Sequence, residues 1–353
     1  MLEEKTNSGL DPEIAAKVEA RIIENHITIH KAGESLNDLL EKRATIKSYI
    51  ETGFTEFDKQ MYGGLYPGLY ILGAISSMGK TAFISQMADQ IAANKNDVLY
   101  FTLEMGAQEL IARSLSRYSY LINDLKDRDA VTARRINSNF IFNNFEQKNF
   151  NAAIELYREE VANNLYYYES LGDIGAEEIR KEIERHINYK GSSPIVFIDY
   201  LQIMKPINEN WPEKRNIDKA VIELRKIARD YNITIFAISS LNRGSYNGDI
   251  GPEAFKESGA IEYGSDVLLA LQVPDLETGE TPKDIKSNKE IIDREGQKEE
   301  KTIELKVIKN RSGRKGQRIK LKYNAKFNYF TDQDDENDVL KGFSDVTGVA
   351  DIF

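Results

Sequence analysis

The chain has 353 residues, a formal net charge of −10 and no cysteine. That length can bury a large core and sets a prior of about two domains. The missing cysteines exclude a disulfide framework, a thiolate zinc site and a cysteine nucleophile. The acidic balance excludes a surface coated in positive charge for nonspecific nucleic-acid binding, though not a basic channel inside an assembly. The start, Met1-Leu-Glu-Glu-Lys5, lacks the apolar centre of a signal peptide. No apolar run approaches the roughly 18 residues of a membrane span, so a soluble, cytoplasmic protein with no membrane partner is expected.

Residues 1–50 read as a helical segment or linker, with helical patterns over 12–27 and 36–50. Ile14, Val18, Ile22 and Ile23 make one apolar stripe and Leu36, Leu39 and Leu40 another, which must pack on the following core or on a neighbouring subunit. His26 and His30 stand four apart. The Glu of the zinc-protease pattern and a third ligand are absent, so two surface histidines are expected.

From residue 51 the texture changes, with Gly53, Gly63, Gly64, Pro67 and Gly68 punctuating the approach to Gly68-Leu-Tyr-Ile-Leu-Gly-Ala-Ile-Ser-Ser-Met-Gly-Lys-Thr81. This is an apolar strand entering a small-residue turn. Beyond it Phe83, Ile84, Met87 and Ile91 recur at helical spacing, so the turn opens onto a helix N-terminus, where free N–H groups and the helix dipole favour an anion. In G-x-x-x-x-G-K-[ST] the Gly lets the backbone approach phosphates, Lys reaches the terminal phosphates and the hydroxyl binds Mg²⁺. Ser77, Met78, Gly79, Lys80, Thr81 and Ala82 form the expected phosphate cradle for ATP. Ala74 occupies the first Gly position and Gly73 lies one place early; alanine serves there if its φ stays negative.

Strands and helices then alternate. Strands are expected over 98–103, 165–168, 194–199, 233–239, 267–273, 303–308 and 319–323, and helices over 107–121, 176–187 and 217–231. Near-continuous apolar strands between helices indicate a largely parallel sheet covered on both faces, with antiparallel strands late in the chain. The fold class is α/β. Residues 275–301, dense in Glu, Lys, Asp and Gly, read as an extended, mobile hairpin loop. Residues 331–353 hold seven acidic residues against Lys341 and read as an acidic, disordered tail.

Hydrolysis also requires a metal-organising carboxylate and a residue that orients water. Asp199 ends the most hydrophobic strand and Glu104 follows the strand at 98–103; both are expected at strand C-termini, where open α/β sheets bind ligands. A buried carboxylate there must be paired, coordinated or protonated. Thr81 and Asp199 are thus the expected Mg²⁺ ligands.

Eight blocks carry a family resemblance: Thr52-Gly-Phe-Thr-Glu-Phe-Asp58, Gly63-Gly-Leu-Tyr-Pro-Gly68, Ser77-Met-Gly-Lys-Thr-Ala-Phe83, Thr102-Leu-Glu-Met105, Phe197-Ile-Asp-Tyr-Leu-Gln202, Leu241-Asn-Arg243, Glu257-Ser-Gly-Ala-Ile-Glu262 and Lys309-Asn-Arg-Ser-Gly313. In this order, across residues 51–330, they resemble the C-terminal motor domain of DnaB-type replicative helicases. The resemblance implies a RecA-like P-loop fold, an ATP-hydrolysing hexameric ring with ATP at subunit boundaries, and single-stranded DNA in its channel, unwound 5′-to-3′ during replication of a phage, plasmid or other mobile element. Carried over by position, Lys80 and Thr81 bind phosphate and Mg²⁺, Glu104 activates water and Asp199 organises the metal. Lys309 and Arg311 match a pair that reaches the neighbouring subunit's γ-phosphate; from the residues alone, 309–318 is a basic turn between two strands. The loop over 205–216, with Lys205, Lys214 and Arg215, and the segment 243–259, with Arg243, Lys256, Glu257 and Gly259, are the expected DNA contacts, gripping phosphates without reading sequence.

Three departures accompany the resemblance. Ser240 stands where the family commonly has a Gln that senses γ-phosphate. Only the helical segment over 1–50 stands before the motor, so a counterpart of the family's N-terminal collar domain is not expected. The acidic tail and residues 275–301 have none in the family. The end of the tail, Ala350-Asp-Ile-Phe353, resembles the partner-binding tip of bacterial single-stranded-DNA-binding proteins, which implies contacts with replication proteins, against the alternative of a solubilising tail. Two other readings stand beside the helicase: a RecA-like ATPase that loads, remodels or regulates nucleic-acid complexes without unwinding, and a non-enzymatic assembly module stabilised by nucleotide.

Overall fold

The computed structural model describes residues 31–45, 49–74, 78–170, 173–242, 248–255, 259–277 and 281–333. Two compact units divide the chain, Met1–Ser48 and Tyr49–Phe353. In the first, helix α1 spans Ala32–Thr45; the helix expected over 12–27, with His26 and His30, lies outside the described residues. The helix expected over 36–50 is described as far as Thr45, and residues 46–48 lie outside the described residues. Ile50 instead exchanges two 2.8 Å backbone hydrogen bonds with Leu65, as a β-branched residue suits an extended pairing better than a helix end.

The second unit is built on one nine-stranded sheet: β1 (Gly68–Ala74), β2 (Val98–Thr102), β3 (Leu165–Glu169), β4 (Ile195–Asp199), β5 (Thr234–Ser240), β6 (Val267–Gln272), β7 (Glu300–Asn310), β8 (Arg318–Asn324) and β9 (Tyr329–Asp332). Their order is β3-β2-β4-β5-β1-β6-β7-β8-β9. The six strands from β3 to β6 run parallel and β7, β8 and β9 are antiparallel additions. Every residue of β1, β2, β4 and β6 is buried, which is why these strands are unbroken apolar runs rather than alternating ones.

Helices cover the sheet: α2 (Thr55–Gln60), α3 (Lys80–Ala93), α4 (Ala107–Ile122), α5 (Ala133–Ile136), α6 (Asn144–Glu160), α7 (Ala176–Lys190), α8 (Glu213–Asp230), α9 (Gly259–Gly264) and α10 (Pro282–Gly296). Both α3 and α8 lie against β1, and α9 packs on α8. Three elements depart from the sequence expectation. Helix α6 opens on a capping box in which Asn143 Oδ1 accepts from Phe145 N and Glu146 N while Glu146 accepts from Asn143 N. Residues 282–296, expected as a mobile loop, form α10; Thr281 and Asp284 cap it reciprocally and Pro282 takes the first turn, where a missing N–H costs nothing. Strand β9 takes in Thr331 and Asp332, which the tail was expected to contain, while residues 334–353 lie outside the described part.

Strand β9 is tied to the phosphate-loop helix by one side chain. Gln86, buried on α3, donates to Phe330 O and accepts from Phe330 N, both at 2.7 Å, acting as a strand partner supplied by a helix. Deeper between the helices, Arg117 and Asp89 form an ion pair that is 2% and 1% exposed, and Arg117 also donates to Asn328 O at 3.0 Å.

Candidate nucleotide site

The candidate groups gather where β2, β4, β5 and β1, neighbours in the sheet, end at one edge. Strand β1 ends at Ala74, and α3 begins at Lys80 behind Gly79, whose backbone is left-handed at φ 81. A Cβ at Gly79 would sit 2.9 Å from the rings of Phe330 and Tyr323, which stack on each other at 4.1 Å. Both conformation and space therefore demand glycine. Gly73 is demanded by packing instead: a Cβ there would sit 2.4 Å from Phe255 and 2.5 Å from Leu241. Ala74 pairs with Ser240 and Leu271 in the sheet and is not among the positive-φ residues, so an alanine fits the first loop position. Ser77 lies outside the described residues; Met78 and Ala82 are buried beneath the loop.

The first turn of α3 has neither an acidic residue nor a side-chain cap, leaving its N–H groups and dipole for an anion. Lys80 Nζ reaches Ala74 O at 3.4 Å. The Thr81 hydroxyl bonds the Asp199 carboxylate, and Tyr100 OH approaches Asp199 Oδ2 at 3.5 Å. Burial pushes the Asp199 carboxyl up to about 6, with the charge of Glu104 adding to the rise and Thr81 and Lys80 opposing it. Those interactions place Lys80, Thr81, Glu104 and Asp199 together electrostatically. The register explains the juxtaposition: Thr102 is the partner of Asp199 and Leu103 N donates to Asp199 O at 2.9 Å, so Glu104 emerges beside Asp199.

Glu104 is exposed, whereas the sequence reading had it buried like Asp199. It follows the end of the strand, which stops at Thr102, and so stands over the sheet edge rather than within it. Among the described residues no group of three or more His, Cys, Asp or Glu could hold a metal. A hydroxyl and one carboxylate are nonetheless the hard-oxygen set that suits Mg²⁺, which keeps waters and nucleotide oxygens in its remaining positions.

Ser240 is exposed at the end of β5. Its N–H donates to Gln202 Oε1 at 3.0 Å, while Gln202 Nε2 donates to Ser239 Oγ at 3.0 Å. Gln202 thus clamps the strand end next to Ala74, a role that the sequence reading did not give it although it stands in one of the quoted blocks.

Lys309 and Arg311 are not at this edge. Lys309 is the register partner of Leu268, and Arg311 N donates to Asp266 O at 3.0 Å, level with Leu69 at the start of β1. Ala74 lies five residue steps beyond Leu69 along β1, roughly 16 Å at the usual strand rise. Lys309 Nζ donates to Glu262 O at 2.5 Å and Ser265 O at 2.6 Å, and Arg311 to Tyr263 O at 2.9 Å. The pair caps the C-terminus of α9, where cations are favoured. Burial, and then the charge of Arg311, pushes the Lys309 ammonium down. Asp266 organises this corner, accepting from Leu69 N at 3.0 Å and from Arg225 at 3.2 Å, with Arg311 Nε 3.7 Å away; no motif pointed to it.

Of the expected DNA contacts, Arg243, Lys256 and Glu257 lie outside the described residues. Gly259 opens α9 and is exposed. Lys205 is exposed and paired with Glu178 Oε1 at 3.1 Å. A cleft of about 500 Å³ lies elsewhere, between α2, α3, α4 and β9, and none of Lys80, Thr81, Glu104 or Asp199 lines it. Lys80, Thr81, Glu104 and Asp199 stand together at the edge where β1, β2 and β4 end.

The model of the DnaB-like helicase C-terminal domain matches residues 49–332. The replicative DNA helicase DnaB of Haemophilus influenzae is 25% identical over 287 residues, covering 80% of this chain and 54% of the relative. The replicative DNA helicase DnaC of Bacillus subtilis is 27% identical over 286 residues, covering 80% and 56%. The chain thus spans about half the length of the curated relatives it matches. Among solved structures, an isolated ATPase domain superposes with a TM-score of 0.69 at 22% identity, over 87% of this chain and all of that one. A DnaB-like replicative helicase, solved in a study of its interactions with primase, gives 0.68 at 22% identity over 90% and 75%. The fold is the RecA-like one that the sequence led us to expect, and over residues 49–332 the chain belongs to the DnaB-like helicase C-terminal domain family.

Proposed function

We propose that the chain is the motor of an ATP-dependent DNA helicase that moves along single-stranded DNA, 5′-to-3′, as a ring of identical subunits during replication. The observation that carries this reading is that the two groups of candidate residues stand at opposite ends of the strands. Lys80, Thr81, Glu104 and Asp199 stand at one edge, and Lys309 and Arg311 at the other, too far to serve the same nucleotide. In a head-to-tail ring one subunit's second edge meets the next subunit's first, and each ATP is then held by two chains.

In that arrangement the α3 N-terminus and Lys80 bind the phosphates, Thr81 and Asp199 hold Mg²⁺, and Glu104 takes the proton of the attacking water. Mg²⁺ held by Thr81 and Asp199 would supply charge neutralisation to the phosphates. Arg311 gives up the carbonyl of Tyr263 to reach the neighbour's γ-phosphate, so nucleotide state is linked to α9. The other end of α9 is Gly259, one of the residues proposed with Arg243, Lys205, Lys256 and Glu257 to grip DNA. No residue of the structure bears on a phage, plasmid or mobile-element setting. Strand displacement on a 5′-tailed fork tests the proposal with wild-type protein and Lys80→Ala. Wild type that hydrolyses ATP yet never separates strands would sink it.

Ser240 favours one competing reading, an ATPase that remodels nucleic-acid complexes without unwinding. Its backbone is held by Gln202 and its side chain is too short to span to a phosphate as a Gln would. ATP turnover indifferent to single-stranded DNA would favour that reading.

A further inference from the structure

The loop between β4 and α8 holds Trp211, the only tryptophan of the chain. The Arg215 guanidinium lies 4.0 Å from its ring centroid. The turn that carries it is fixed: Asn216 Oδ1 accepts from Asn208 N at 3.0 Å, and Asn216 Nδ2 donates to Asn208 O at 2.9 Å and Trp211 O at 3.3 Å. Both ends of the Asn216 amide hold Asn208, and its Nδ2 also holds the Trp211 carbonyl, which fixes the turn against the first turn of α8. Beside the ring is a cleft of about 280 Å³, lined by Leu201, Met204, Pro206, Trp211 and Ile217 among others. Arg215 does not line it, so the cation covers the ring from outside the cleft.

We propose that Trp211, backed by Arg215, is a stacking station for one unpaired base of single-stranded DNA, the base entering the cleft between Pro206 and Trp211. This rests on the single-stranded-DNA reading above and adds to it a contact with a base, where that reading has contacts with phosphates alone. The charges on the rim select between the two parts of a nucleotide. Glu209 and Glu213 border the cleft and repel a phosphate, and the Lys205 ammonium on the same lining is paired with Glu178 at 3.1 Å, whereas a base is neutral and has a π-face for the indole. Lys214, exposed at the start of α8, is left to meet a flanking phosphate. Stacking accepts every base, so the station adds affinity without sequence specificity. The loop also starts at the nucleotide: Leu201–Ile203 forms a short 3₁₀ turn directly after Asp199 and Tyr200, and Gln202 in that turn lines the cleft and clamps Ser240.

The single tryptophan makes the test direct. Full-length protein with a non-hydrolysable ATP analogue is titrated with fluorescent-labelled oligo-dT and with an abasic oligomer of the same length, reading anisotropy and Trp211 emission. Oligo-dT is expected to quench the emission with the midpoint seen by anisotropy, and the abasic strand to bind more weakly without quenching. Trp211→Ala is expected to weaken oligo-dT binding about five- to 150-fold while leaving abasic binding unchanged, and Trp211→Phe to restore most of the loss. Oligo-dT that binds wild type without quenching, or quenching by the abasic strand equal to that by oligo-dT, would overturn the station and leave the single-stranded-DNA reading standing. Binding of neither strand would overturn both.

Discussion

Arg311→Ala is expected to silence the neighbour's nucleotide site and leave its own intact. Arg311 emerges level with Leu69, roughly 16 Å below Ala74 along β1, at the end of β7 with β6 between it and β1. Loss of an arginine finger costs on the order of 10³ to 10⁵ in rate, so a ring made only of Arg311→Ala subunits should bind ATP and hydrolyse almost none. A ring made only of Lys80→Ala subunits should be equally inert. Mixed at equal amounts, the two place an intact Lys80 beside an intact Arg311 at roughly a quarter of the interfaces of a randomly assembled head-to-tail ring. Phosphate release should therefore recover toward a quarter of the wild-type rate, following the product of the two fractions as the mixing ratio changes. Coassembly is checked by pulling down one tagged variant. Coassembled mixtures that stay at the level of their parents at every ratio, or Arg311→Ala rings that turn over normally, would refute the trans arrangement.

Glu104→Gln should retain ATP binding while phosphate release falls about 10²- to 10⁴-fold, the usual worth of a positioned base; unchanged turnover would remove Glu104 from the chemistry and favour an assembly module. Arg117→Ala leaves the carboxylate of Asp89 buried without its cation and should lower unfolding free energy by about 3–5 kcal/mol in urea. Arg117→Ala as stable as wild type would show that Asp89 is protonated in the fold. Asp58, pushed up to about 6 by burial despite hydrogen bonds from Thr52 and Gly53, holds its proton more tightly folded than unfolded. Its contribution is fully present below pH 3.8 and lost as pH rises through about 6, a fall of about 3 kcal/mol. Asp58→Asn should flatten that part of the stability profile between pH 4 and 7, and an unchanged slope would refute it.

The sequence by itself determined the parallel strands, the helix behind Gly79-Lys80-Thr81 and the placement of Asp199 at a strand end, because buried strands, helical stripes and a glycine-led turn are local patterns. It also contained signals that composition masked. The pairs Asn143 with Glu146 and Thr281 with Asp284 are capping boxes, but no helix was expected over 144–160, and the polar composition of 275–301 reads as loop. Only the tertiary structure decided the strand order, and with it which edges carry which groups. Strand order is set by packing between residues far apart in the chain, so Lys309 and Arg311, two residues apart in a basic turn, did not reveal that they lie across the sheet from Lys80. The same holds for the contacts that support the site. Gln86 pairs with Phe330, Gln202 with Ser240 and Asp266 with Arg311, each through a hydrogen bond or ion pair whose partners have no sequence period in common. The exposure of Glu104 was decided in the same way, by β2 ending at Thr102 where its pairing with Asp199 stops.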